Sequence, residues 1–124
     1  MGYSEWRKAN NIPEEIREGN CHHFCALNDE EFEELQKAII KWLPTHMKTV
    51  SRRYNSYYLK HRFENLLDFY INEYDLKLAM YKLGYKSSSD IFTTLKYGVT
   101  YNISSKEVVQ LEEHSNLVKE TRYK

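Results

Sequence analysis

The chain has 124 residues, 41% of them hydrophobic and 29% charged, which suits one domain with a modest core and argues against wholesale disorder. Eighteen bases balance eighteen acids, which excludes both a strongly acidic nucleic-acid mimic and a uniformly basic nucleic-acid coat. Apolar runs such as Ala38-Ile39-Ile40 are too short to span a bilayer. No basic-then-apolar leader opens the chain, and Trp6 stands where a myristoylation signal needs Ser or Thr, so the expected compartment is the cytosol.

Taken in order, the residues read as mainly α, a small helical domain with a minor β element near residues 97–103. A short helix is predicted from Asn11-Ile12-Pro13-Glu14, with Gly19 as its stop. The roughly twenty residues at the front are expected to be loosely attached to a single domain over 1–124. Asn28 followed by Glu31 makes a capping-box pattern, and Phe32, Leu35, Ile39 and Trp42/Leu43 then recur at helical spacing until Pro44. The acids Asp29, Glu30, Glu31, Glu33 and Glu34 crowd its first turns, where the helix dipole favours negative charge. A third helix is predicted from Ser56, with Leu59, Phe63, Leu66/Leu67 and Tyr70 on its apolar face. A fourth starts at Asn72, with Asp75 three residues on and Gly84 as a left-handed stop. Tyr97, Val99, Tyr101 and Ile103 alternate as a strand, for which Phe69–Ile71 or Ile91–Leu95 would be the partner. Ser104 with Glu107 opens a last helix that is expected to fray in the basic tail.

Charge is unevenly spread along the chain. Residues 1–43 carry net −4, residues 44–62 net +5 with no acid, and the remainder net −1. Tyrosine is the compositional outlier, at 11 residues, and favours binding surfaces because its ring adds area at little rotamer cost.

Three constellations could carry chemistry. The run Cys21-His22-His23-Phe24-Cys25 holds four soft or borderline donors in five residues, and Cys-x₃-Cys is an allowed zinc spacing. A structural Zn²⁺ would take Cys21, Cys25 and His61, with His22, His23 or His46 as the fourth ligand, and would add folding energy. Two small buried hydrophobes beside surface imidazoles is the competing reading. The segment 48–62, KTVSRRYNSYYLKHR, interleaves Arg52, Arg53, Lys60 and Arg62 with Tyr54, Tyr57 and Tyr58. Such a set could neutralise phosphates and stack on bases, meet an acidic protein surface, or simply stay solvated. Finally, helix, turn, helix and strand from Ser56 to Ile103 fit a winged helix-turn-helix loosely, although Glu73, Asp75 and Lys82 make no obviously basic recognition helix. Signatures of catalysis are absent: no GxGxxG, P-loop, GxSxG, HExxH or zinc-deaminase pattern occurs, and no enzymatic activity is expected.

The stretch S-Y-Y-L-K-H-R-F-E at Ser56–Glu64, the run from Phe69 to Tyr85, and Y-N-I-S at Tyr101–Ser104 together resemble a family of small proteins carried by phages and mobile elements of Gram-positive bacteria. That family's pattern is roughly S-x-Y-x-L-K-H-x-x-E, then an aromatic, V/I-x-N, then A-M-x-x-x-G-Y/F, then F/Y-N-I-S. The resemblance implies a phage protein acting in the bacterial cytoplasm, of a kind that includes anti-CRISPR inhibitors of the type II effector nuclease. One such inhibitor is a zinc metalloprotein, but the Cys-His run lies outside the resembling stretch. The expected function is a non-enzymatic inhibitor that blocks DNA loading, with Glu30, Glu33 and Glu34 pairing to the partner's Lys and Arg. Arg52, Arg53, Tyr57, Lys60 and Arg62 would supply further partner or nucleic-acid contacts. A DNA-binding transcription or replication regulator is the alternative.

Overall fold

The computed structural model describes residues 2–18, 21–47, 53–92 and 99–122, with the backbone alone at residues 17, 18 and 21–23. Helix α1, Tyr3–Ala9, has Glu5 in its first turn and Arg7 and Lys8 in its last, matching the helix dipole. Asn11 turns the chain at φ 57°, in the left-handed region that Asn tolerates. The front of the chain is not loose. Tyr3 is buried and its ring stacks on Phe32 with centroids 3.6 Å apart, which fastens α1 to the core.

The helix predicted from Asn11 to Gly19 is instead a strand pair. β1, Glu15–Glu18, runs antiparallel to β2, Cys21–Phe24, in the register Glu15↔Phe24 to Glu18↔Cys21. Two turns of helix would be marginal alone, whereas a ladder satisfies the backbone and lays β2 against a central helix. In the sequence, Gly19-Asn20 separates the two strands and is a dipeptide that hairpin loops favour, which competes with the helix start that Pro13 suggests.

Helix α2, Asp29–Trp42, has both halves of the expected capping box: Glu31 N donates to Asn28 Oδ1 at 2.8 Å, and Asn28 N to Glu31 Oε1 at 3.0 Å. Its face of Phe32, Leu35, Ala38 and Ile39 is buried, together with Leu43 just before Pro44. Strand β3, Arg53–Asn55, leads directly into α3, Ser56–Leu67, capped by Asn55. Helix α4, Glu73–Lys82, is capped by Asn72, whose side chain accepts from Asp75 N at 2.9 Å. Every residue from Tyr74 to Met80 is buried, so α4 is the central helix, with α2 and α3 packed on it. Gly84 ends that segment at φ 86°, the left-handed stop the sequence predicted.

Strand β4, Thr100–Asn102, forms within the predicted stretch, but its partner is β3 in antiparallel register, Tyr54 opposite Tyr101. Of the two predicted partners, Phe69–Ile71 does not serve, because it forms the turn into α4, and most of Ile91–Leu95 lies outside the described residues. A three-residue strand gives no usable alternation, so Arg53–Asn55 could not be recognised locally. Helix α5, Ser105–Arg122, packs along α3 and does not fray in the predicted way: Arg122 Nη1 reaches Asp68 Oδ1 at 3.3 Å. Among the described residues no helix is long and apolar enough to cross a membrane.

Candidate functional site

The Leu59-Lys60-His61-Arg62-Phe63-Glu64 motif is built inward rather than outward. Leu59 and Phe63 are fully buried. One turn along α3, Glu64 Oε1 accepts from Lys60 Nζ and from Ile71 N, both at 3.0 Å, and Oε2 lies 3.1 Å from His61 Nδ1. The carboxylate thus ties the end of α3 to Ile71, near the close of the turn into α4. Lys60 is itself buried, with its ammonium 5.6 Å from the Tyr57 ring centroid and 5.2 Å from that of Tyr70. Glu64→Gln keeps an acceptor for Ile71 but leaves Lys60 with no carboxylate. We expect a loss of about 1–3 kcal/mol, read as a lowered urea midpoint, since a charged donor is left in a shielded place.

The basic and aromatic segment therefore presents fewer cations than its sequence suggests. Lys60 is committed to Glu64, and Arg62 Nη1 lies 3.3 Å from Glu112 Oε1 on α5, with its ring-facing side over Tyr58. Arg53 is exposed, while Arg52 and the rest of 48–52 lie outside the described residues. Besides Arg53, what stands outward on this face among the described residues is aromatic: Tyr57 and Tyr70 are both more than half exposed, and His61 meets the Tyr57 ring edge-on at 4.5 Å. The winged-helix arrangement does not hold either. A recognition helix must lay a free face in a DNA groove, and α4 is buried from Tyr74 to Met80.

On the opposite charge, Glu30, Glu33 and Glu34 are all exposed on α2. Glu33 pairs with Lys37 at 3.3 Å, a solvated pair of small worth. Asp29 and Glu31 are used locally, by Tyr3 N at 2.9 Å and by the cap. Glu30 and Glu34, one turn apart, have no ion pair among the described residues.

A polar cluster that sequence reading passed over lies beneath α1. Asp75 is fully buried and accepts from Tyr3 Oη at 2.6 Å and from Ala26 N at 3.0 Å. Burial pushes the Asp75 carboxyl up, against the pull of the Tyr3, Ala26 and Leu27 donors and of Arg7. Tyr3 is driven far above its ordinary range by burial and by the Asp75 charge, so its proton stays on oxygen and is given to the carboxylate. Cys25 Sγ sits 3.5 Å from the same hydroxyl, and burial raises that thiol too. Arg7, with its guanidinium 4.0 Å over the Tyr3 ring, is the nearby positive charge. Asn72 joins this cluster to the hairpin through Nδ2 to Phe24 O at 2.7 Å. The only signal in the sequence was an Asp inside the apolar run of α4, which capping alone had accounted for.

Of the residues named for zinc, the side chains of Cys25, His46 and His61 are described, and they lie apart. The side chains of Cys21, His22 and His23 lie outside the described residues. Their backbone is an extended strand, and Cys25 N continues the ladder by donating to Glu14 O at 2.9 Å. Four residues of strand span about 13 Å, whereas zinc–sulfur bonds of about 2.3 Å hold two thiolates within about 4 Å of each other. Cys25 faces Tyr3 and Asp75, His61 faces Glu64 and Tyr57, and His46 stacks on Tyr85 at 3.9 Å. Among the described residues no group of three or more His, Cys, Asp or Glu could hold a metal ion. Elemental analysis of untagged protein purified without chelator tests the zinc expectation: one equivalent per chain would support it, and well under one would remove it.

No family model, no curated protein and no solved structure matches the chain.

Proposed function

We propose that the protein is a non-enzymatic inhibitor of the anti-CRISPR type, acting in the bacterial cytoplasm by docking on a type II CRISPR effector nuclease and keeping DNA from loading. The observation that supports this reading is the division of charge on the folded surface. Carboxylates Glu30, Glu33 and Glu34 stand outward along one side of α2, as a basic nucleic-acid channel would require. Lys60 and Arg62, two of the four cations that a DNA-binding regulator would use with Arg52 and Arg53, are instead paired with Glu64 and Glu112. Complementary charge would speed encounter and make inhibition salt-sensitive.

The test is DNA cleavage by purified effector nuclease with and without the protein. Wild-type protein should inhibit, and Glu30→Lys with Glu34→Lys should raise the half-inhibitory concentration by about tenfold or more, the change that two reversed rim charges bring. A gel shift on random duplex DNA should show no retention. Cleavage unaffected by the wild-type protein would end the proposal, and inhibition equal in the reversed variant would remove α2 from it.

A further inference from the structure

Where the last turns of α2 meet the end of α3 and the middle of α5, the surface is hollowed into a groove of about 430 Å³. Ala38, Leu66 and Leu67 make its apolar floor, and Trp42 its wall. The indole is only partly covered, stacked on the His114 ring with centroids 4.6 Å apart. Lys41 is exposed and holds its ammonium 5.6 Å from the indole centroid. It has no ion pair among the described residues. Lys37, also on the rim, shares its charge with the solvated Glu33. Glu34 is the sole acid among the residues that line the groove.

A half-open tryptophan in a lined hollow is the arrangement that anchors binding hot spots. Lys41, unpaired among the described residues and beside the indole, favours an occupant that brings carboxylates with its apolar side chains. We propose that this groove is a docking site for an acidic amphipathic segment of a partner protein, whose leucine-like side chains enter between Trp42 and Leu66/Leu67 and whose carboxylates meet Lys37 and Lys41. The inference stands on the groove alone and does not require the nuclease reading.

Tryptophan emission tests it with a defined probe, since the chain has two tryptophans. The probe is an acetylated, amidated dodecapeptide repeating Leu-Leu-Glu-Glu, and the control carries Lys for every Glu. The acidic peptide should give a saturable change that Trp6→Phe retains and Trp42→Phe loses. Lys37→Glu with Lys41→Glu, both exposed and away from the core, should weaken the acidic peptide about tenfold or more and favour the basic one. The proposal is overturned by no saturable change up to about 1 mM peptide, by equal response to both peptides, or by a charge-reversed variant that binds as wild type does.

Discussion

Asp75→Asn is expected to destabilise the fold by about 3–5 kcal/mol, because it sets two buried donors against an amide that can accept for only one of them, without changing the shape of the site. The wild-type carboxylate takes a proton donor on each oxygen, Tyr3 on one and Ala26 N on the other. An amide in its place offers one acceptor and turns its own two N–H groups toward a donor. The site is closed to water at Asp75 and nearly so at Tyr3, so the mismatch has no solvent to relieve it. Tyr3→Phe removes a single donor and should cost less, about 1–3 kcal/mol. Urea unfolding followed by far-ultraviolet dichroism measures both. Equal midpoints for wild type and Asp75→Asn would mean that the carboxylate contributes nothing to the attachment of α1 and β2.

Lys77→Met should act in the other direction and raise stability by about 2 kcal/mol at neutral pH, as replacement of a buried charge by an apolar chain of similar length can do. Lys77 is fully buried in α4, and its Nζ has no hydrogen-bond partner among the described residues. Burial lowers its pKa, with the Glu73 carboxylate pulling the other way. The unfolded chain then holds a proton that the folded chain gives up, in the interval from the lowered value to the ordinary one near 10.4. Wild-type stability therefore rises with pH across that interval, while the methionine variant lacks this slope. The advantage of Lys77→Met should shrink as pH climbs toward about 10.4, and unfolding at several alkaline pH values measures it. An unchanged gap would show that the amine's charge is not what costs stability.

Both predictions rest on residues that the sequence hides. Asp and Lys default to the surface, and nothing in Glu73–Lys82 announces that the helix would be enclosed on all sides. Local signals were readable: the Asn28–Glu31 box, the Asn72 cap and Gly84 depend on residues a few positions apart, and each forms as expected. Long-range pairing was not. The partner of Thr100–Asn102 is Arg53–Asn55, more than a third of the chain away. The hairpin of β1 and β2 was masked by Pro13, whose preference for a helix start is only a weak prior against a ladder that also covers α4. For the candidate site, exposure of the α2 carboxylates agrees with the sequence reading. The withdrawal of Lys60 and Arg62 does not, because a run of bases says nothing about acids supplied from Glu64 and from Glu112 on a distant helix.

The antiparallel ladder between Arg53–Asn55 and Thr100–Asn102 encloses α3 and α4 in one loop. Closing a flexible loop of that size costs about 3 kcal/mol of chain entropy, and three paired residues are a small reward for it. Helices form on a sub-microsecond scale, far faster than distant strands meet. During refolding, α3 and α4 would therefore associate first and shorten the gap, and the strand ladder would close late, as a latch on helices already in place.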